Sequence, residues 1–320
     1  MRETTPATYG GPGWVAREET SDDEIRAGKL WAALSSRSDS AAITDLLLYC
    51  PSAAISTLSD NEIDGALQLR AVDAARLKRQ FDALCAAYEA LGVRVHKLPN
   101  DWVDDRRHPN SIFLRDLFWA TPFGAIIARM ASPVRAGEER AVSRRLAELG
   151  MPIALTISGS GLLETADCHW LRPGLAMIGV GERTNAEGCR QLREWLEGQG
   201  VDCIVSRFDP QGQHLTGCLQ AISDDRILIR PKLLPPETMP LLRKSGFELI
   251  PIDETEEVLE RYAFNFVVVA PDVVLLPSGC PEFRAQIEAA GIRVAAEVEI
   301  SEYIAMAGGP CCASGVLARA

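Results

Sequence analysis

The chain has 320 residues, 47% of them hydrophobic and 24% charged, with a formal net charge of −11. That length provides one large or two small globular cores, and the acidic balance leaves no Lys/Arg stripe with which to neutralise nucleic-acid phosphates. An uninterrupted run of 18 apolar residues is missing, which argues against a membrane span.

Residues 1–40 are polar and rich in Gly, Pro, Ser and charge. Tyr9-Gly10-Gly11-Pro12-Gly13-Trp14 is turn chemistry, so we expect an irregular extension resting on the body through Trp14 and Trp31. The opening residues Met1-Arg2-Glu3-Thr4-Thr5-Pro6 show no apolar signal-peptide core. Nine cysteines, scattered apart from the Cys311–Cys312 pair, then fit reduced thiols in the cytoplasm.

From Ala41 to Ala320 we expect a single domain built from a pattern that recurs about every 50–60 residues. Each copy holds one or two apolar runs, an amphipathic helix, then a β-rich run introduced by glycine. The first comprises Ile43–Tyr49, a helix Val72–Leu91 and Val93–Leu98. The second comprises Ile112–Thr121, Ala125–Met130, a helix Gly137–Leu149 and Met151–Thr156. The third comprises Gly161–Leu171, Leu175–Val180, a helix Asn185–Gln199 and Val201–Phe208. The fourth runs from His214–Ile222 and Arg226–Ile229 through a short helix at Pro240–Ser245 to Phe247–Ile252. The fifth comprises Asn265–Ala270, Val273–Leu276, a helix Pro281–Ala290 and Ile292–Ala296, and the tail Cys312–Leu317 completes a sheet opened near the N-terminus. Gly92, Gly150, Gly200, Gly246 and Gly291 mark five copies of one helix-stop, glycine, strand signal. Alternating strands and helices imply α/β layering, and five copies of one unit imply stacking round an axis.

Candidate chemistry is spread over separate segments. Cys312 follows Gly308-Gly309-Pro310, while Asp116, Glu164, Asp167 and His214 supply carboxylates and an imidazole. A thiol, a titratable base and paired carboxylates are what nucleophilic attack on a cationic carbon requires. Taken singly, each has a plainer reading: Asp116 could pair with Arg115, Glu164 could form a structural salt bridge, and His214 could sit in an exposed turn. Other signals fail. Ser158-Gly159-Ser160-Gly161 does not fit a nucleophile elbow, and Gly179-Val180-Gly181 lacks the third glycine of a dinucleotide site. Cys168-His169 has no second pair with metal-ligand spacing. No metal and no cofactor are therefore expected.

With five ββαβ-like units and this ordered residue set, residues 41–320 resemble the guanidino-group modifying superfamily. That family, the penteins, includes arginine deiminases, amidinotransferases and dimethylarginine dimethylaminohydrolases. The resemblance rests on Phe113/Asp116, Glu164/Asp167, His214, and Cys312 near the C-terminus, together with Val180–Asn185, which looks like the family's Gly-x-x-x-Arg-Thr-Asn segment. It implies a five-fold pseudosymmetric α/β propeller and covalent chemistry on an arginine derivative through a Cys312 thiouronium. In that reading Asp116 and Glu164 grip the guanidinium, His214 moves protons, and Asp167 orients His214. Arg129 and Arg183 are candidates for the substrate carboxylate, and Asn265 for a backbone-bonding role.

The chain also departs from the family pattern. Deiminases and amidinotransferases carry Asp two residues after the His, where this chain has Thr216, a residue that tolerates N-methyl groups better than an unpaired carboxylate would. Arg115 before Asp116 instead resembles the deiminase and transferase form, and Cys311 is an alternative nucleophile. The leading expectation is a hydrolase of N-substituted arginine giving citrulline and an amine, with a homodimer a further expectation. An amidinotransferase, a deiminase and a non-catalytic binding protein of the same fold stay open.

Overall fold

The computed structural model describes residues 5–320. Five three-stranded sheets account for its strands, and each repeats one connectivity. The second blade is typical. β3 (Phe118–Thr121) turns back into β4 (Gly124–Ile127), and a helix at Glu139–Glu148 returns the chain to β5 (Ile153–Thr156), which pairs parallel to β4. The third blade repeats this with β6 (Cys168–Arg172), β7 (Leu175–Val180) and β8 (Asp202–Arg207). The fourth uses β9 (Leu219–Ala221), β10 (Arg226–Ile229) and β11 (Glu248–Pro251), and the fifth β12 (Val267–Ala270), β13 (Val273–Pro277) and β14 (Arg293–Val298).

The first blade is made from both ends of the chain. β1 (Ile43–Leu48) pairs parallel with β2 (Arg94–Lys97) and antiparallel with the C-terminal β15 (Gly315–Arg319). That pairing closes the ring.

Physical chemistry sets each layer. Middle strands are covered on both faces, so they read as unbroken apolar runs: Leu46, Ile126, Ile178, Leu228 and Leu275 are all fully buried. The helices are amphipathic. Ala74–Ala90 buries Leu77, Phe81, Leu84, Cys85 and Tyr88 along one stripe. Full burial of such a side chain contributes about 1.5–3 kcal/mol. The five glycines that follow helices all adopt left-handed backbone, with φ between +78° and +93°, the conformation that ends a helix and is strained for a residue with a Cβ.

Observed helices fall within a few residues of the expected ones, for instance Ala74–Ala90 and Ala186–Gly198. The N-terminal segment differs from its expectation. Ser21–Ala27 is a regular helix with a Thr20–Asp23 capping box. Trp14 is 59% exposed and does not dock on the body, and Trp31 is half-buried; Ile25 and Leu34 are the buried apolar side chains. Among the described residues, no helix is long and apolar enough to cross a membrane.

Candidate active site

Every blade delivers a polar residue in the turn that leads into its first strand. Three of these turns are single 3₁₀ turns: Leu114–Asp116 before β3, Thr165–Asp167 before β6 and Leu215–Gly217 before β9. Asn265 precedes β12, and Pro310–Ala313, a helical turn carrying Cys312, precedes β15. Five chain-distant positions thereby converge at one end of the ring.

Asp116, Glu164 and His214 place one ligand-type atom each within 4.8 Å of one another, all buried. His214 Nε2 lies 2.7 Å from Glu164 Oε2, while its Nδ1 is 4.0 Å from Asp116 Oδ1. Glu164 also accepts from the Ala131 N–H at 3.3 Å and from Arg183 at 3.3 Å. Asp116 Oδ2 takes the Arg135 guanidinium at 2.5 Å, and Asp116 Oδ1 is buried without a partner. Arg135 is itself held by Glu138 and by the carbonyls of Asn110 and Phe113. A buried carboxylate oxygen without a donor is costly and calls for an incoming one. The cluster already hosts guanidinium groups on its carboxylates.

The carboxylate on the imidazole is Glu164 rather than Asp167, a correction to the sequence-based expectation. Asp167 accepts the Leu215 backbone N–H at 2.8 Å and the Thr184 hydroxyl at 2.6 Å. It fixes the His214 turn through the main chain. The paired grip by Asp116 and Glu164 is also modified, because both Glu164 oxygens are occupied and Asp116 alone keeps one free.

Cys312 and His214 face a common cavity of about 270 Å³, whose wall includes Thr216, Asn265, Tyr262 and Val258. Cys311 lines a separate small cavity. The vicinal pair thus splits between two compartments, with Cys312 in the one that His214 also lines. Asn265 Nδ2 sits 3.0 Å from the Cys312 sulfur, and its Oδ1 accepts the N–H groups of Cys311 and Cys312. Asn265 therefore fixes the thiol as well as the backbone, which sequence reasoning anticipated only for the backbone. No local pattern singles out Arg135, one of many arginines until folding pairs it with Asp116.

Arg115 does not pair with Asp116. It is half-buried, and its fork caps the carbonyls of Thr165 and Cys168, each at 2.6 Å. Arg129 is exposed and bonds the Gly161 carbonyl at 3.0 Å, away from the cavity. Arg183 engages Glu164 through one nitrogen, and the rest of its fork has no partner among the described residues.

Electrostatics sort the groups. Burial acts to lower the His214 pKa, yet Asp116, Glu164 and Asp167 outweigh it and the imidazole is raised. Burial acts to raise Glu164, but the His214 hydrogen bond and charge, with Arg135 and Arg183, depress it to about 2. Asp167 is raised to about 6, chiefly by burial. Cys312 is pushed up to about 11 by burial and the Asp116 charge, with Asn265 opposing. The raised thiol favours its neutral form and the raised imidazole its charged one, and a bound cation would bring out the thiolate.

A propeller of five ββαβ blades with Cys, His and carboxylates at one end is the architecture of guanidine-modifying proteins. Comparison with known sequences and structures agrees: the chain belongs to the pentein superfamily. Residues 102–243 match the arginine deiminase family model. The N(G),N(G)-dimethylarginine dimethylaminohydrolase of Pseudomonas aeruginosa is 30% identical over 243 residues, 76% of this chain and 89% of that protein. A solved cysteine-to-serine variant of the Pseudomonas aeruginosa enzyme complexed with citrulline superimposes with TM-score 0.70 at 27% identity, covering 87% of this chain and all of that one. An amidinotransferase of the saxitoxin pathway from Microseira wollei shares the fold, with TM-score 0.69 at 15% identity, over 90% of this chain and 98% of that one.

Proposed function

We propose that the protein hydrolyses an N-substituted arginine, dimethylarginine being the reference substrate, to citrulline and the corresponding amine. The observation that carries this reading is the shared cavity, in which a thiol and an imidazole meet Thr216, at the position where deiminases and amidinotransferases carry Asp. A carboxylate facing a dialkylated nitrogen would find no donor and would sit desolvated. The 30% identity to the Pseudomonas aeruginosa dimethylarginine dimethylaminohydrolase supports the same substrate class.

Cys312 sulfur attacks the guanidinium carbon and forms a C–S bond. The Cys312 proton passes to solvent as the cation binds, and His214 gives its own proton to the departing amine as the C–N bond breaks. The now neutral imidazole takes a proton from water, whose oxygen attacks the thiouronium carbon; the C–S bond then breaks, the sulfur takes up the remaining hydroxyl proton, and citrulline forms. Asp116 Oδ1 receives the guanidinium N–H, Glu164 holds His214, and the open fork of Arg183 suits the substrate carboxylate. Nine free cysteines support a reducing, cytoplasmic setting.

The experiment is citrulline formation from dimethylarginine and from arginine, each with and without an added acceptor amine. We expect dimethylarginine to give the higher kcat/KM without an acceptor. Preference for plain arginine would make the protein a deiminase, and dependence on the amine would make it an amidinotransferase.

A further inference from the structure

Behind the catalytic cavity lies a second one of about 50 Å³, walled by Asp39, Arg115, His169, Thr216, Cys311 and Arg319 among others. Thr216 lines both. From its hydroxyl a chain of contacts runs back to the N-terminal segment: Thr216 Oγ1 is 3.1 Å from His169 Nε2, and His169 Nδ1 is 3.2 Å from Asp39 Oδ2. Asp39 is anchored to β6 in both directions, its N–H on the Trp170 carbonyl at 3.0 Å and its Oδ2 on the Trp170 N–H at 3.2 Å. Arg115 stands 3.7 Å from the same carboxylate oxygen.

We propose that Asp39, His169 and Thr216 form one hydrogen-bonded relay by which the N-terminal segment sets the catalytic-cavity wall that meets the substituted guanidine nitrogen. Asp39 and His169 are then positioning residues for substrate selection, an inference that rests on the hydrolase reading above.

The proton arrangement follows from the neighbours. Burial holds His169 below its usual pKa against the pull of Asp39, which favours the neutral ring. Burial would raise Asp39, but the His169 hydrogen bond and the Arg115 charge keep it low and ionised. The ring therefore carries its proton on Nδ1, donates to Asp39, and offers a lone pair on Nε2. The single Thr216 proton has two acceptors on this side, His169 Nε2 and the Ala166 carbonyl. Whichever takes it, Thr216 gives no donor and no charge to the catalytic cavity, and its methyl group is left to pack against an alkylated nitrogen. Without Asp39 or His169 the hydroxyl keeps only the Ala166 carbonyl and loses the second partner that holds it turned from the substrate.

The test compares kcat/KM for dimethylarginine and arginine in the full chain, in D39A and H169F, in their double variant, and in H169Q, whose amide can still bond Thr216. D39A and H169F should each lower the dimethylarginine-to-arginine ratio about five- to tenfold, the scale of one lost hydrogen bond. The double variant should fall no further, because both changes cut one chain, and H169Q should recover most of the ratio. A ratio unchanged within about twofold in folded D39A and H169F, or additive losses in the double variant, would overturn the relay. The relay is also read without turnover. With only four histidines, long-range ¹H–¹⁵N spectra compared with H169Q isolate His169, and we expect a proton on Nδ1 that D39A disturbs. A wild-type ring protonated on Nε2 alone would sink the relay. If wild-type protein processes neither guanidine, the hydrolase reading fails, while the imidazole spectrum still decides the relay.

Discussion

At the residue scale the decisive contrast is between two adjacent thiols. Cys311 is buried with its pKa pushed up to about 12, chiefly by burial, and lines the cavity behind the site. Cys312 shares its cavity with His214. We therefore expect C312S to abolish turnover with the fold retained, since an alcohol is a far weaker nucleophile at neutral pH, and C311S to stay active. Kinetics and circular dichroism of both variants check this. The elevated Cys312 pKa gives a second prediction. Asp116 raises it and Arg135 lowers it, so D116N removes the negative charge and moves the thiol pKa down. Alkylation rates against pH should show an inflection well above 9 in the wild type and a lower one in D116N. Residue types were legible in the sequence here, whereas pairings were not. Glu164 against His214 and Arg135 against Asp116 join positions far apart in the chain, and no local pattern encodes them.

At the element scale, the turn before each first strand does the positioning. Asn265 and Gly309 illustrate it. A Cβ on Gly309 would stand 2.7 Å from Asn265 Oδ1 and 2.8 Å from its Cγ, so G309A must push away the amide that holds the Cys312 sulfur. We expect a loss of at least tenfold in kcat with a stability cost of about 1–3 kcal/mol, the usual range for overpacking. Urea unfolding and steady-state kinetics separate the two effects. Helices and the glycine stops were readable because period and left-handed glycine are local properties. The 3₁₀ turns were not. Leu114, Ala166 and Leu215 are apolar and buried, so the turns merge in sequence with the strands they introduce, and the run from His214 to Ile222 hides a strand only at Leu219–Ala221.

At the scale of the whole molecule, ring closure and the N-terminal segment decide stability. The closing strand β15 ends at Arg319, whose backbone N–H bonds the Ser35 carbonyl. Leu34 is buried, and Ser38 bonds Asp224 at 2.9 Å. Residues 5–19 hold mostly exposed side chains. Deleting residues 1–19 should leave the melting temperature within about 2 °C. Deleting 1–40 removes a buried leucine, the Asp39 anchor and several hydrogen bonds, and should lower it by about 10 °C or more, given that 1 kcal/mol shifts a domain of this size by roughly 2–4 °C. Equal melting temperatures for the two truncations would refute the assignment. The fivefold repeat was legible because each blade carries its own signal. The integration of residues 31–40 was not, since serine and aspartate there read as a solvated tail until β6 and Asp224 supply partners.

The central claim is covalent transfer of the guanidine carbon to Cys312. Rapid acid quench of the protein with dimethylarginine, followed by intact-mass and peptide mass spectrometry, tests it most directly. We expect an adduct on the peptide containing Cys312, with the mass of the substrate less dimethylamine, absent in C312S and decaying to citrulline. An adduct on Cys311, or citrulline formed with no covalent species at any quench time in wild type and H214N alike, would contradict the account.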